Sequence, residues 1–390
     1  MKTGIEKSNC SGCDVCSNVC PVDAISYETD EFGFKYPVFA ENCIDCGLCE
    51  RTCPNNKANL SRLALNAPIS AYSAVSKDSD CLKNSASGGA FSEIVEAFCE
   101  GDYAVFGVKF DDSFNAVTDF VCDKSQIAPF RKSKYIQSSP NSSYRKVEKF
   151  LKDGKKVLFT GTPCQVAALK LFLKKDYDNL LAVDILCEGF ASPMVFKKYV
   201  EYFEKKMGAK LVSYSFREKR KSLWRYSALV TRMEFANGKS VENFIDSYFR
   251  GFVKGLYFCD ACPECRYAGP KRTSDITIGD FWSIGKIDAS LNPMKGVSLI
   301  LANTEKGVET VKKLSRSMDI TERSTQSAII GNAPLNSPLP KNPRSADFFK
   351  LLKDHDVVYC INRVAPPPPF WKRAVRKLSR VLKSIFKFGR

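Results

Sequence analysis

Seventeen cysteines against a single histidine, His355, define the chemistry open to this chain. Eight of the cysteines fall in two copies of one pattern. Cys10-Ser11-Gly12-Cys13-Asp14-Val15-Cys16 leads to Cys20-Pro21, and Cys43-Ile44-Asp45-Cys46-Gly47-Leu48-Cys49 leads to Cys53-Pro54. In the C-x2-C-x2-C-x3-C-P arrangement, three closely spaced thiolates wrap one iron–sulfur cage, and the fourth closes the cage of the other repeat. The spacing assigns Cys10, Cys13, Cys16 and Cys53 to one 4Fe–4S cluster, and Cys43, Cys46, Cys49 and Cys20 to a second. Structural zinc commonly uses two separated C-x2-C pairs and does not explain two crossed runs each ending in proline. Clusters of this kind move single electrons and do no bond chemistry. With one histidine, Ser-His-Asp, Cys-His and His-rich zinc sites are disfavoured.

A second set of thiols is scattered. Thr160-Gly161-Thr162-Pro163-Cys164-Gln165 follows the apolar strand Val157 to Phe159 and opens a helix; Cys187-Glu188-Gly189 follows a strand ending at Leu186. A right-handed β–α–β unit would bring both cysteines to one carboxyl edge of a parallel sheet, where α/β proteins bind ligands. The run Cys259-Asp260-Ala261-Cys262-Pro263-Glu264-Cys265 adds a turn of clustered thiols. Two strand-end cysteines and a C-x2-C pair would complete a third cluster. From spacing alone, Cys164 and Cys187 read equally well as small buried hydrophobes, the run reads equally as a local zinc or redox element, and one of its thiols is surplus. Cys81, Cys99, Cys122 and Cys360 lack metal-like spacing and are expected in the core; His355 is expected on the surface.

A third feature is the glycine pair in Ser85-Ala86-Ser87-Gly88-Gly89-Ala90-Phe91, where backbone N–H groups could cradle a phosphate, although such a pair before a helix more often only makes a turn. The cluster Arg131-Lys132-Ser133-Lys134-Tyr135 reads equally as a diphosphate neutraliser or a solvated strand. No G-x-G-x-x-G or Walker loop occurs.

The elements that must position these residues follow from pattern. With 390 residues, 44% of them hydrophobic and 26% charged, the chain is globular and long enough for two or three domains. The fold class is mixed α/β. A dicluster ferredoxin-like module spans 1–57, with a hairpin around Asp30-Glu31-Phe32-Gly33, followed by a polar linker from Asn55 to Asn66. A body of strands and helices follows over 67–150 and 151–345, including strands at Ser70 to Val75, Tyr103 to Phe110 and Leu180 to Leu186. Helices are expected over Ala167 to Lys175 and Phe196 to Lys206, and along a face bearing Phe91, Ile94, Val95 and Phe98; short strands are expected around Val212, Ala228 and Ile276. A closing segment covers 346–365, and 366–390 holds a four-proline spacer and a basic tail.

The net charge is +16, and eight of the 59 Lys and Arg residues lie between Lys372 and Arg390 with no acid among them. The excess argues for a basic tail rather than a nucleic-acid-binding body. On a helical period, Trp371, Ala374, Val375, Leu378, Val381, Leu382, Ile385 and Phe386 share one face opposite the basic residues, which suits an anionic membrane surface; docking of that face on protein is the alternative. Residues 1–7 have no apolar signal region and no run is long enough to span a bilayer, so a cytoplasmic protein, peripheral at the inner face of the cytoplasmic membrane, is expected.

Taken together, the chain resembles the beta-subunit family of coenzyme F420 hydrogenases and dehydrogenases, in a single-chain bacterial form with a fused ferredoxin module. The residues that carry the resemblance are Ser85 to Phe91, Ser133-Lys134-Tyr135-Ile136-Gln137-Ser138, Thr160 to Gln165, Cys187-Glu188-Gly189, Cys262-Pro263-Glu264-Cys265 and Asp275 to Trp282. The resemblance implies FAD held near Ser87, Gly88, Gly89, Ser133, Lys134, Gln137, Thr160, Gly161, Thr162 and Gln165. It also implies a third 4Fe–4S cluster on Cys164, Cys187, Cys262 and Cys265, with Cys259 surplus unless it replaces a neighbour. The implied activity is an oxidoreductase coupling one-electron transfer through clusters to hydride transfer at the flavin. The implied partners are a ferredoxin-like or other redox protein and a small-molecule hydride donor or acceptor, either coenzyme F420 or a dedicated metabolite such as a saccharide. An electron relay without its own substrate and a zinc-stabilised nucleic-acid module are the competing classes. No side chain stands out as a general acid.

Overall fold

The computed structural model describes residues 6–222, 225–244, 246–367 and 369. The expected amphipathic tail helix lies outside them.

The N-terminal module contains the expected hairpin, β1 (Ile25–Thr29) against β2 (Lys35–Phe39). Its two cysteine loops coil alike. Gly12 and Asp45, and then Asp14 and Gly47, occupy matching positions of the repeat, and all four have positive φ. Each loop then enters a short helix, Val15–Val19 or Leu48–Thr52, that ends at Cys20 or Cys53. Successive residues turned this way aim backbone N–H groups into a concavity, as anion and iron–sulfur sites require.

The body contributes β3 (Ser70–Ser76), β4 (Tyr103–Phe110), β5 (Ala116–Val121), β6 (Ser138–Ser139), β7 (Lys156–Gly161) and β8 (Leu180–Ile185). These are followed by β9 (Leu211–Ser222), β10 (Arg225–Phe235), β11 (Ser240–Asn243), β12 (Ile276–Asp280), β13 (Ser298–Ala302) and β14 (Met318–Arg323). Among the described residues the main sheet has the order β14-β3-β13-β12-β8-β7-β4-β5-β6. Strands β4, β7, β8 and β12 run parallel, and β3 shares their direction because β13 is antiparallel to both β12 and β3.

Strict alternation along the central strands supplies two cores. Val105, Leu158, Leu181 and Val183 pack under the helix Ala90–Phe98, with Ile94 and Val95. Ala104, Phe106, Val157, Phe159 and Ala182 face the opposite way, onto helices Ser143–Lys152 and Pro163–Leu173. Successive strand side chains point to opposite faces, so strands buried on both sides read as continuous apolar runs.

Some expectations needed correction. The strands near Val212 and Ala228 are not short: β9 and β10 form a long ribbon that, with β11, makes a second sheet. The helix expected from Ala167 begins at Pro163, which places Cys164 on its first turn. The stretch after Asn55 is no free linker, because Lys57–Arg62 is a 3-10 helix with Asn59 buried and Leu63 buried beyond it. Cys81, Cys99 and Cys360 are buried, but Cys122, just beyond the end of β5, is exposed. His355 is exposed.

The module is fastened to the body. Tyr144 donates its hydroxyl to the Cys13 carbonyl (2.9 Å), and Asp14 accepts from the Ser139 hydroxyl. Arg145 closes the end of the helix Val15–Val19 by donating to the carbonyls of Asn18 (2.6 Å), Ser17 (3.0 Å) and Cys20 (2.9 Å), and pairs with Asp23. Cations at a helix C-terminus are favoured by the exposed carbonyls and the helix dipole. Among the described residues, no helix is long and apolar enough to cross a membrane.

Candidate redox centres

Two cysteine-lined clefts lie back to back. The first, of about 450 Å³, is walled by Cys10, Cys13, Cys16, Cys49 and Cys53 with Tyr27. Cys10, Cys13, Cys16 and Cys53, the four thiols grouped by spacing, are thus brought together; Cys49 of the other group joins them at the wall. Of the remaining thiols, Cys46 is exposed and Cys43 half-buried, while Cys20 is buried and its Sγ accepts from the Ala24 N–H (3.3 Å).

The second cleft, of about 660 Å³, is lined by Cys164, Cys187, Cys262 and Cys265. Cys164 stands where β7 passes into its helix, and Cys187 two residues beyond the end of β8, so both occupy the carboxyl edge of the sheet. The segment carrying Cys262 and Cys265 is held over that edge by a β-bridge between Ala191 and Phe258. Gly189 permits the approach. Its φ is +130°, and a Cβ there would stand 2.6 Å from the Phe258 ring and 3.3 Å from Cys262 Cβ.

Ser11 and Asn55 line both clefts, and the Asn55 amide donates to the Ser11 hydroxyl (3.0 Å). They form a shared wall one side chain thick. Tyr267, also buried, lines the second cleft and donates to the Pro54 carbonyl (2.6 Å), next to Cys53.

The electrostatics suit a cationic guest. Burial, helped by neighbouring thiols, pushes Cys10 and Cys16 up to about 12 and Cys13 well above the ordinary thiol range. Burial likewise lifts Cys164 to about 11 and raises Cys187 and Cys265. Cys262 is raised first by its contact with Cys259 and then by burial. Thiols so placed stay protonated until positive charge arrives, which iron supplies. Among the described residues, no three His, Cys, Asp or Glu side chains converge on a single-ion site. Hydroxyls await two sulfurs: Tyr27 Oη lies 3.3 Å from Cys16 Sγ, and Thr162 Oγ1 lies 3.2 Å from Cys164 Sγ. Cys259, fully buried, donates to the Cys10 carbonyl (3.4 Å) and so ties the two thiol loops together.

The residues expected around a flavin fall into two groups. Thr162 and Gln165 cap the helix bearing Cys164, through Thr162 N–H to Gln165 Oε1 (3.0 Å), and Gln165 Nε2 donates to Ser138 Oγ (2.9 Å). Thr160 donates to the Phe106 carbonyl, and Gly161 packs beside Gln165. Gln137 lies against Gly12 of the first cysteine loop, its Nε2 buried without a partner. The second group gathers at the ends of β3 and β12. Gly88 donates its N–H to Ser298 Oγ (2.9 Å), Gly89 precedes the helix Ala90–Phe98 with φ +94°, and the Ser87 hydroxyl is buried without a partner. Ser133 is half-buried, and Lys134 donates to the carbonyls of Pro129 (2.6 Å) and Arg131 (2.9 Å) within its own loop.

Sequence reasoning missed the cations of this second group. Arg217, fully buried on β9, forks onto Asp280 (2.9 and 3.1 Å) and donates to Tyr135 Oη (3.0 Å) and the Ala86 carbonyl (3.1 Å), with the Trp282 ring 5.4 Å away. Lys219 donates to the Ser87 carbonyl (2.7 Å), and burial lowers its amine to about 8. Burial, and then Asp280, raise the Glu188 carboxyl. Arg217 and Lys219 sit in the charged run Arg217 to Lys221, which reads as a solvated strand.

Comparison with known proteins bears on both halves. Residues 9–57 match the 4Fe-4S dicluster domain. Residues 154–327 match the family described as the C-terminal part of the coenzyme F420 hydrogenase/dehydrogenase beta subunit. No curated protein matches. Among solved structures, a chain of the F420-reducing [NiFe] hydrogenase complex from Methanosarcina barkeri is similar at 16% identity and a TM-score of 0.44, over 77% of this chain and 92% of that one. The N-terminal module is therefore a 4Fe-4S dicluster domain, residues 154–327 match the C-terminal part of the coenzyme F420 hydrogenase/dehydrogenase beta-subunit family, and the chain is an iron–sulfur oxidoreductase related to that subunit.

Proposed function

We propose that this protein couples one-electron transfer through three 4Fe–4S clusters to hydride exchange at FAD. The observation that carries the proposal is the pair of cysteine-lined clefts sharing the Ser11–Asn55 wall. In this reading Cys10, Cys13, Cys16 and Cys53 hold the inner cluster of the module. Cys43, Cys46, Cys49 and Cys20 hold the outer one, where a ferredoxin-like partner exchanges electrons, since Cys46 reaches solvent. Cys164, Cys187, Cys262 and Cys265 hold the third. In the same reading the module spans 1–57 and the body 67–150 and 151–345.

When bound, the clusters pass single electrons and the flavin exchanges either one electron or a hydride. The chain's own residues supply placement. The shared wall keeps the two clefts adjacent, Tyr27 and Thr162 offer hydrogen bonds to ligand sulfurs, and Gly12 and Gly189 let the cysteine loops close. Ser87, the uncapped start of Ala90–Phe98 and Lys219 together suit an anionic part of the flavin at the end of β3. Ser133, Lys134, Gln137 and the Thr160–Gln165 loop border the same sheet edge or the module. The two-electron partner is coenzyme F420 or another small metabolite, and the site is cytoplasmic, with the basic tail meeting an anionic membrane.

One observation favours a relay without flavin: packing alone accounts for Gly88, where a Cβ would come within 2.1 Å of the Ala74 carbonyl. Anaerobic purification followed by iron, sulfide and flavin counts separates the readings. About twelve irons and one FAD per chain, with flavin bleached by reduced ferredoxin, are expected; clusters without FAD would establish the relay instead.

A further inference from the structure

Behind the second cleft lies a buried ion pair that hydrogen bonding leaves incomplete. Arg272 and Asp184 are both almost entirely shielded from solvent. Arg272 donates through Nη1 to the Tyr267 carbonyl (3.0 Å), and the same nitrogen stands 3.8 Å from Asp184 Oδ2, too far for a hydrogen bond. Arg272 Nε and Nη2 have no hydrogen-bond partner. Ser274 and Thr277 accept from the Asn303 amide and turn their hydroxyls towards Asp184.

A buried guanidinium with two idle donors is costly unless another negative group satisfies it. Asp184 serves poorly, because its nearer oxygen stands 3.8 Å from the guanidinium. The alternative lies on the cleft side, because Tyr267, whose carbonyl accepts from Arg272 Nη1, lines the second cleft. The backbone holds Arg272 in place: its N–H and C=O pair with the C=O and N–H of Asn66 in a β-bridge.

We infer that Arg272 is a positioning cation for the third iron–sulfur cluster, set behind Cys187 and Cys265 to raise its reduction potential, with Asp184 moderating that charge. The inference rests on the third-cluster reading above. Reduction adds one electron from the adjoining module cluster and one unit of negative charge, with no bond made or broken. A fixed cation in a dry interior favours that state.

The test is an EPR-monitored redox titration of the anaerobic holoprotein, with iron and sulfide counted on the same samples. Arg272→Met should lower the midpoint of one cluster and leave the other two unchanged. Asp184→Asn should raise the midpoint of that same cluster, and Arg272→Lys should restore part of the loss. If Arg272→Met fails to fold, Asp184→Asn alone decides the matter. Three clusters with all midpoints unmoved would overturn the role of Arg272 while sparing the third cluster. Iron for only two clusters in the unaltered protein would overturn both.

Discussion

The two cysteine clefts reach similar ends by opposite constructions. In the module, two short loops each bring three thiols within a few residues and set them with the same pair of positive-φ turns. In the body, four thiols come from a helix start, a strand end and a distant loop, and they meet only because β7 and β8 are parallel neighbours. A local site needs only its own loop, whereas an assembled site depends on the whole sheet. The second should therefore respond to changes far from any cysteine.

The largest expected effect sharpens this contrast. Cys187→Ser should reduce bound iron from about twelve to about eight atoms per chain while both module clusters remain, and should abolish flavin reduction by reduced ferredoxin. Iron unchanged at twelve would remove Cys187 from the ligand set. Arg145→Ala tests the joint between the two constructions. Losing its contacts with the three carbonyls and Asp23 should cost about 1–2 kcal/mol and speed amide exchange over residues 14–23, measured by denaturant unfolding and hydrogen exchange. If exchange there is unaltered, the module does not depend on this clasp.

A smaller shift is expected from Tyr27→Phe. Removing the hydroxyl beside Cys16 should lower the inner module cluster by about 40 mV, which corresponds to about 1 kcal/mol on a one-electron couple, and leave the body's cluster unmoved. The smallest effect concerns Lys134, whose amine burial lowers to about 7. Between that value and the ordinary lysine range, the folded chain binds fewer protons here than the unfolded chain. Stability therefore rises with pH across that window, with the penalty fully present below pH 7. Lys134→Met should flatten that slope in thermal melts of the holoprotein; an unchanged slope would show that the amine titrates normally.

What could be read from residues alone follows the same division. The repeat, the hairpin, β3, β4, β7 and β8 were legible because their signals are local: spacing, turn residues and apolar runs. Cys164 and Cys187 were placed at one sheet edge by topology; their meeting with a C-x2-C pair was one of two equal readings of the spacing, and the family resemblance implied Cys262 and Cys265 as that pair. The cations were opaque. Arg217 and Lys219 lie in a run of charges that looks solvated, and only the fold reveals β9 as a ribbon lying over the carboxyl edge of the sheet. Arg272 gave no sign either, since an arginine beside Lys271 in a Gly-Pro turn reads as a solvated charge. Cys122 misled in the other direction: a thiol without metal spacing is usually buried, yet this one follows β5 at the surface.

The Ser11–Asn55 partition has a kinetic corollary. In the three-cluster reading, because the module is clasped to the body and Ser11 and Asn55 line both clefts, charge would hop across with no domain swinging and no second molecule diffusing in. The internal hand-over should then proceed at the same speed in thick sucrose as in dilute buffer. Only the outward face near Cys46, where a partner must collide, would feel the viscosity of the medium.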